Sequence, residues 1–354
     1  MISRASSAIA PSVRARAPLR LGLAGGGTDL AVYCDRFGGV ALNATIDRFA
    51  YAHVKMRDDA QLHFIAHDMQ KSERHEVVMD LDVRTGLMLH RAVYAHIMRA
   101  FNSGRPLALT ISTSLDVPAG SGLGASSALV VALIEAFVAA MQLPLGPYDI
   151  ARLAYEIERE HVGLAGGKQD QYAAAFGGFN FMEFLQGSKN VIVNPLRLRH
   201  DYLFEFESSL IICFSGQSRD SADIINQQVD GLQSSDALAL ASMHAIKDGA
   251  IEMKQHLLSG DIRGVAEILH QSWLSKKNTA SAVTNPLVEY LLEVGLQSGA
   301  WAGKVSGAGG GGFLMLLAHP ERRYAVIRAL NGAGGQASAV KLTFEGAQAW
   351  HSGL

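Results

Sequence analysis

The stretch that decides the fold is Pro118-Ala119-Gly120-Ser121-Gly122-Leu123-Gly124-Ala125-Ser126-Ser127, a glycine-rich loop that runs directly into an apolar helical pattern. Glycines let the backbone approach an anion closely, and the free N–H groups and positive dipole end of a new helix stabilise that anion. The hydroxyls of Ser126 and Ser127 stand at the helix start, where one can ligate Mg²⁺ while the N–H groups hold triphosphate oxygens. The loop therefore predicts phosphate binding, with a serine-capped helix after a flexible loop as the structural alternative.

Two known nucleotide-binding fingerprints can be compared with this loop. A Walker A loop is excluded because no Gly-Lys-Ser/Thr ends the run. Residues 120–125 satisfy the dinucleotide pattern G-x-G-x-x-A, but that fingerprint also needs a βαβ unit and an acidic residue about 20 positions further on. Glu135 falls inside the predicted helix and Asp149 opens the next one. A nicotinamide-dependent oxidoreductase is therefore kept only as a weaker alternative.

Composition narrows the class of protein. The 354 residues are 49 % hydrophobic and 18 % charged, which argues against disorder and coiled coil and suggests about two domains. Thirty-one basic and 33 acidic residues give a formal charge of −2, which argues against a general binder of nucleic acid or of membrane surfaces. Cys34 and Cys213 cannot form a disulfide framework or a four-ligand zinc site, so a reduced, cytoplasmic compartment is expected. The most apolar stretch, Ala128 to Met141, is far short of the roughly 20 residues that span a membrane.

Strand and helix patterns are irregularly mixed along the chain, which favours an α+β fold over strict βα alternation. Alternation and apolar runs predict strands at Leu19 to Leu23, Val40 to Val54, Gln61 to Ala66, His75 to Met79, Leu107 to Thr113, Phe179 to Phe184, Leu210 to Phe214, Ala302 to Ser306, Gly312 to Leu317 and Ala337 to Thr343. Helical periodicity predicts helices at Leu87 to Asn102, Ser126 to Met141, Tyr148 to His161, Asp220 to Val229, Ala237 to Ser259, Ile262 to Ser275 and Pro286 to Ser298, with a short one between Gly166-Gly167 and Gly177-Gly178. The polar stretch Gly187 to Asp201 marks a boundary between domains 1–195 and 196–354.

Two further glycine clusters flank the central loop. Gly25-Gly26-Gly27-Thr28-Asp29 follows the first predicted strand, and Lys304-Val305-Ser306-Gly307-Ala308-Gly309-Gly310-Gly311-Gly312-Phe313 lies between two late ones. Four consecutive glycines between apolar strands cost much backbone entropy unless something packs closely against them. Both clusters are therefore candidates for ligand contact.

In order and spacing, the three clusters resemble the GHMP kinases, and the resemblance extends from about Arg16 to Thr343. It implies a two-domain α+β fold with a ribosomal-protein-S5-like N-terminal domain and a ferredoxin-like C-terminal domain. Within the family, the chain looks like the D-glycero-D-manno-heptose 7-phosphate kinase branch. The stretches that carry this likeness are Ala17 to Asp29, Asn43 to Asp47, Gly166 to Tyr172 and Lys304 to Phe313.

The resemblance implies roles for particular residues. Asp170 matches the catalytic aspartate, which we expect to orient the acceptor hydroxyl and take its proton late, and Arg20 matches an arginine beside it. The ATP-binding residues are expected to be Pro118, Gly120, Ser121, Gly122, Leu123, Gly124, Ala125 and Ser126. Ser126 and Glu158 are the expected Mg²⁺ ligands, although a one-residue slip in the alignment would make Ser127 the metal ligand.

The substrate side is expected to include Gly26, Gly27, Thr28, Asp29, Lys168, Arg219, Lys276, Lys277, Gly309 and Gly310. For Lys168, solvent exposure and a pairing with Asp170 and phosphate are equal alternatives. Arg219 could either grip the substrate phosphate or cap a turn. Galactokinases carry Glu-His at the positions of Gly26-Gly27, so galactose itself is disfavoured.

Together these features predict an ATP- and Mg²⁺-dependent sugar kinase that phosphorylates O1 of D-glycero-D-manno-heptose 7-phosphate, on the route to nucleotide-activated heptose for capsule or lipopolysaccharide. The expected partner is a small-molecule sugar phosphate, with no nucleic acid and no membrane, and a homodimer is left open. The nearest alternative is another anomeric sugar kinase, for L-fucose or a hexose. An ATP-dependent decarboxylase of the same fold is disfavoured by the Asp170-Gln171 pair and the polyglycine sugar motif. A non-catalytic binder of that fold is disfavoured by the presence of Arg20, Ser126, Glu158 and Asp170.

Overall fold

The computed structural model describes residues 12–218, 221–234 and 236–352. Their strands are β1 (Ser12–Ala24), β2 (Gly39–Met56), β3 (Gln61–Ala66), β4 (Lys71–Glu76), β5 (Leu109–Leu115), β6 (Phe179–Phe184), β7 (Val191–Pro195), β8 (Leu210–Phe214), β9 (Ala300–Val305), β10 (Phe313–Ala318), β11 (Gln336–Ala339) and β12 (Gln348–His351). Their α-helices are α1 (Ala31–Phe37), α2 (Met88–Phe101), α3 (Ala125–Met141), α4 (Pro147–Tyr155), α5 (Gln169–Phe176), α6 (His200–Ser209), α7 (Ser221–Gln233), α8 (Ala237–Ser259), α9 (Ile262–Lys277), α10 (Pro286–Gln297) and α11 (Pro320–Gly332). None of these helices has both the length and the apolar character that crossing a membrane requires.

The first sheet is built around the long strand β2. Its strands run in the order β12-β1-β2-β5-β3-β4, and β6 pairs with another part of β2 and with β7. β2 can serve both neighbours because it has 18 residues, pairing with β5 over its second half and with β6 over its first. Helix α3 is apolar on almost every face and lies against β1 and β2, which fits a helix buried within a core. This packing fixes where α3 begins.

The second sheet has the order β11-β8-β10-β9, and all of its pairings are antiparallel. Helices α10 and α11 cover it through a core of its own. The hairpin of α8 and α9 joins the two halves, because Met253, Leu257, Val265 and Leu269 belong to the large core that the first sheet also forms. The two sheets are thereby joined through one shared core.

The end of the chain returns to the first sheet, where β12 pairs antiparallel with β1. The predicted division after residue 195 falls between β7 and α6, but residues 348–351 lie in the first sheet rather than with the rest of 196–354. The stretch from Gly187 to Asp201 is also more regular than expected, because it contains β7.

The predicted helix from Tyr148 to His161 changes its winding halfway. It is α-helical through Tyr155, and Glu156–His161 forms a π-helix. A π-helical turn is rare and occurs often at functional sites, because the wider turn changes the direction of the side chains it carries. Here it turns Glu158 into the protein, where that carboxylate is fully buried.

Candidate active site

One cavity of about 340 Å³ lies where the two halves meet. We call residues 25–29 the first glycine loop, residues 118–127 the second and residues 306–312 the third. All three loops contribute to the cavity wall, together with the segment 164–167 and the start of α7. The sequence separates these segments widely, and the fold brings them to one place.

The second glycine loop leads into α3 with a backbone that only glycine adopts readily. Gly120, Gly122 and Gly124 have φ values of 72°, 80° and 74°, which lie in the left-handed region. Gly124 immediately precedes the first residue of α3, so the free N–H groups of that helix face the cavity from its N-terminal end. Ser121 Oγ is buried, lines the cavity and has no hydrogen-bond partner among the described residues. The loop thus offers both backbone and hydroxyl donors to an anion.

The expected ATP-binding residues do not all face the cavity. Gly120, Ser121, Gly122, Gly124, Ala125 and Ser126 line it. Pro118 is exposed outside the wall, and the Leu123 side chain is buried in the core. Leu123 instead anchors the loop, because its carbonyl accepts a hydrogen bond from the Arg20 backbone N–H at 3.1 Å.

Arg20 and Asp170 form the ion pair at the centre of the cavity. Arg20 Nε donates to Asp170 Oδ1 at 2.8 Å and Nη2 to Oδ2 at 2.9 Å, while Nη1 donates to the Gly122 carbonyl at 2.7 Å. An ideal Cβ on Gly124 would lie 3.3 Å from the Asp170 carboxyl carbon. The carboxylate therefore stands at the start of α3, directly beside the second glycine loop. A bidentate arginine fixes its orientation.

Glu158 lies behind the two serines that begin α3. Its Oε2 accepts hydrogen bonds from Ser127 Oγ at 2.6 Å and from Gln171 Nε2 at 2.7 Å, and its Oε1 accepts from Ser126 Oγ. Arg159 Nη1 lies 3.3 Å from Oε1. Ser126 lines the cavity, whereas Ser127 is buried beside the carboxylate. Of the two serines, the structure therefore presents Ser126 to a ligand.

This hydroxyl and carboxylate are oxygen donors of the kind that Mg²⁺ takes in nucleotide sites, where phosphate oxygens and waters complete the shell. No cluster of three or more His, Cys, Asp or Glu residues suited to a metal occurs in the described ranges. Ser126 lines the cavity, and Glu158 lies directly behind it, fully buried. These two residues fit a metal that takes its remaining ligands from a nucleotide, as Mg²⁺ commonly does.

The first glycine loop holds Asp29 in a fixed position on the cavity wall. Asp29 Oδ1 accepts from the Gly27 backbone N–H at 3.1 Å, and Oδ2 accepts from the Gln169 N–H at 3.0 Å. A Cβ on Gly167 would overlap the Asp29 carboxylate, so glycine is needed at that position. Gly26 and Gly27 line the cavity beside it.

Several residues expected to contact the substrate lie elsewhere. Thr28 is fully buried and its Oγ1 bonds to the backbone of Gly25 and Val40, so it closes the turn instead of facing a ligand. Lys168 Nζ lies 3.8 Å from Asp35 on α1, away from Asp170 and the cavity. The Lys168 side chain is buried, so neither solvent exposure nor a pairing with Asp170 describes its position.

Two further placements are corrected near the third glycine loop. Lys277 pairs with Glu289 on α10 at 3.3 Å and does not line the cavity. Gly309 and Gly310 pack against Val283, where a Cβ on Gly309 would lie 2.5 Å from the carbonyl oxygen. Their role is close backbone packing. The prediction for Arg219 lies outside the described residues.

Among the described residues, Lys276 and Lys304 are the lysines that reach the cavity. Both are buried, and their ammonium groups donate to the carbonyls of Gly307 at 2.6 Å and Leu23 at 3.2 Å. Burial lowers the pKa of Lys276 to about 8, and burial beside Lys276 lowers the pKa of Lys304 well below its usual range. Lys304 begins the C-terminal glycine cluster in the sequence, but the sequence patterns predicted no role for it. Sequence reasoning also missed Arg159 as a residue of the site, although Arg159 directly follows Glu158, which was expected to bind Mg²⁺.

The chain contains the two domains that define a known kinase family. Residues 88–178 match the GHMP kinases N-terminal domain, and residues 253–336 match the GHMP kinases C-terminal domain. The chain therefore belongs to the GHMP kinase family, whose members are ATP-dependent phosphotransferases. The dinucleotide interpretation of the second loop is wrong, since β5, which leads into the loop, pairs with β2 and β3 and not with the next described strand, β6.

Relatives cover nearly the whole chain. A D-glycero-alpha-D-manno-heptose 7-phosphate kinase from Campylobacter jejuni is 42 % identical over 96 % of this chain and 99 % of its own length. A crystal structure named as a D-glycero-D-manno-heptose 1-phosphate kinase from Bacteroides thetaiotaomicron is 41 % identical, with a TM-score of 0.81 over 96 % of this chain and 98 % of that one. A Lactococcus lactis galactokinase structure shares the fold at 16 % identity, with a TM-score of 0.74 over 95 % of each chain.

Proposed function

We propose that this protein is a sugar kinase that transfers the γ-phosphoryl group of ATP to O1 of D-glycero-D-manno-heptose 7-phosphate, giving the 1,7-bisphosphate. The observation that carries the proposal is the position of the Arg20–Asp170 pair, between the second glycine loop and the Asp29 carboxylate. The Campylobacter relative, named as a heptose 7-phosphate kinase, supports the choice of acceptor.

In this proposal each loop has its own part of the reaction. The second loop holds the triphosphate with its N–H groups and the Ser121 hydroxyl. Asp29 accepts hydrogen bonds from sugar hydroxyls, which sets the acceptor in place. Asp170 orients the hydroxyl that attacks and takes its proton late, because a loose phosphoryl-transfer transition state needs little deprotonation beforehand. Arg20 fixes the orientation of the Asp170 carboxylate and stabilises the charge that develops on the phosphoryl oxygens.

Mg²⁺ belongs to the same proposal. Ser126 and Glu158 would hold it, with β- and γ-phosphate oxygens as its other ligands. Bound there, the ion would neutralise charge on the phosphates as transfer proceeds. Glu158 is already surrounded by donors from Ser126, Ser127, Gln171 and Arg159. This shell gives a fully buried carboxylate hydrogen-bond and charge partners and holds it against the start of α3.

A phosphorylated acceptor would bring about −1.5 to −2 charges into a cavity that also holds ATP. The cations lining the cavity support such a ligand pair, because Lys276, Lys304 and Arg159 join Arg20 there. An unpaired buried phosphate would be very costly. The proposal therefore requires that the phosphate be recognised.

The test is ADP release from the purified chain with a panel of acceptors. Heptose 7-phosphate should give a much higher kcat/KM than unphosphorylated heptose, galactose or L-fucose. Heptose 1-phosphate belongs in the panel, because the names of the two relatives differ in the position of the phosphate. The product should lose its new phosphate in mild acid, as an anomeric phosphate does, and retain the other. Equal kcat/KM with and without the 7-phosphate would refute the choice of acceptor while leaving the kinase family unaffected.

A further inference from the structure

Lys276 occupies the junction between the two ligand-binding loops. Its Nζ donates to the Gly307 carbonyl at 2.6 Å. Gly307 in turn packs on the second glycine loop, since a Cβ there would lie 2.5 Å from the Gly122 carbonyl oxygen. On the other side, an ideal Cβ on Gly26 would lie 3.8 Å from Nζ. The ammonium group thus stands between the loop expected to hold ATP and the loop expected to hold the sugar.

Among the described residues, neither of the two lysines has a carboxylate partner of its own. Arg20 is paired with Asp170, and Arg159 with Glu158. Within the described part of the chain, Lys276 and Lys304 each donate one hydrogen bond, to a carbonyl. An ammonium group has three N–H donors, so each of these buried lysines has donors to spare. Donors of that kind in a cavity wall call for an anionic ligand.

We propose that the Lys276 ammonium binds the phosphoryl group as it moves from ATP to the sugar, rather than the distal phosphate of the acceptor. This inference rests on the proposed kinase function. In a loose transition state the charge spreads over the three equatorial phosphoryl oxygens. A donor already held at the junction by Gly307 stabilises that charge without reorganising. Lys276 is then a catalytic residue.

The ammonium form of Lys276 is the one that can donate to the phosphoryl group. Among the described residues, Arg20 disfavours the ammonium form of Lys276, whereas Asp29 and Asp170 favour it. Lys276 and Arg20 in turn disfavour the ammonium form of Lys304. Burial adds the largest effect on Lys276 and lowers its pKa to about 8. The charge is therefore present below that pH and lost above it. For the free enzyme this should appear as an alkaline fall in kcat/KM for ATP.

The adjacent lysine provides a matched control. Lys277→Gln removes the same charge one residue away, outside the cavity, where its partner is Glu289. We expect Lys276→Gln to lower kcat by about 10²–10³-fold, the usual effect of losing one preorganised donor, with both heptose 7-phosphate and unphosphorylated heptose. Lys277→Gln should match the wild type. Thermal melting and ATP binding of each variant report whether the fold and the nucleotide site are intact.

Lys276→Arg gives a readout that a purely structural role would not move. Guanidinium remains charged at every accessible pH, so this variant should keep much of the activity and lose the alkaline fall in kcat/KM. An unchanged alkaline fall would overturn the proposal. So would an effect of Lys276→Gln confined to KM for the phosphorylated acceptor, since this would place Lys276 at the distal phosphate. Activity that rises through the same pH range would instead indicate that the neutral amine acts as a base.

The acceptor proposal and the Lys276 proposal can fail separately. If the wild type transfers phosphate to a different sugar, the acceptor is wrong, and the same variants with that sugar still test Lys276. If it accepts none of the sugars, the slow hydrolysis of ATP by water is the reaction to compare. Equal rates for Lys276→Gln and Lys277→Gln would overturn the role of Lys276 in either case.

Discussion

Replacing Asp170 by Asn removes one charge and one acceptor at the centre of the cavity while keeping the size of the side chain. Arg20 now donates to both carboxylate oxygens, at 2.8 and 2.9 Å. The amide can accept only one of these bonds and turns an NH₂ group toward the guanidinium. A hydrogen bond to a charged group contributes about 1.5–3 kcal/mol. The Asp170 side chain is 23 % exposed, so we expect the lower end, about 1.5 kcal/mol, in the free energy of unfolding by urea.

The kinetic effect should be much larger than the effect on stability. Losing a positioned proton acceptor lowers kcat by about 10²–10⁴-fold, which corresponds to roughly 3–5 kcal/mol of transition-state stabilisation at 1.36 kcal/mol per tenfold. KM for ATP and for the sugar should change little, because the proton moves only in the transition state. A loss of about 1.5 kcal/mol leaves a domain of ordinary stability folded, so unfolding cannot imitate this result.

The chain offers a close control for the same chemical change. On the surface, Arg199 donates from Nε and Nη2 to Asp201 at 3.0 and 2.7 Å, in the same fork geometry as the Arg20–Asp170 pair. Asp201→Asn should change the free energy of unfolding very little, because exposed ion pairs contribute little to stability, and should leave ADP release unchanged. Near-normal turnover of Asp170→Asn, or a loss no greater than that of the control, would refute the catalytic assignment.

Two further predictions concern the metal and the sugar. Ser126→Ala and Glu158→Gln should each raise the Mg²⁺ concentration for half-maximal ADP release, because each removes one of the few protein oxygens available to the ion. If both titrations were unchanged and Ser127→Ala were impaired, the serine ligand would be Ser127 instead of Ser126. Gly167→Ala places a methyl group against the Asp29 carboxylate. Overpacking of this kind costs about 1–3 kcal/mol, and because it displaces Asp29 it should raise KM for the sugar more than KM for ATP. Gly332→Ala, with open space around its Cβ position, is the control, and an equal effect of both alanines on KM would contradict this view of Gly167.

The elements that sequence reasoning placed best are those with clear patterns and clear ends. The predicted bounds of β3, β6 and β8 and of α8 agree with the structure. For β8 and α8 the pattern stops at clear boundaries, since serines flank β8 and Asp236 and Gly260 flank α8. Helix α11 was missed because it buries few apolar residues, Val326 and Leu330, so its hydrophobic stripe is weak. The π-helix was missed because six residues are too few to distinguish its period from that of an α-helix.

The orientation of neighbouring basic residues could not be read from the sequence. Lys276 and Lys277 follow one another at the end of α9, and successive residues of a helix point about 100° apart. Which of them faces the cavity depends on how α9 rotates as it packs against α8 and β9. Lys168 illustrates the same limit, because its direction is set by Asp35 on a helix, α1, that the sequence patterns did not predict.

The packing of the second and third glycine loops explains why a site spread over nearly the whole chain forms one cavity. Gly122 and Gly307 approach so closely that a Cβ on either would overlap the other loop, and a Cβ on Gly312 would overlap the Ser121 carbonyl. The Phe313 N–H donates to that same carbonyl at 2.9 Å. The first sheet carries the second loop and the second sheet carries the third, so this backbone contact aligns the two halves. The glycines of the third loop are therefore needed mainly for close packing, and Lys276 reaches the junction because Gly307 is held there.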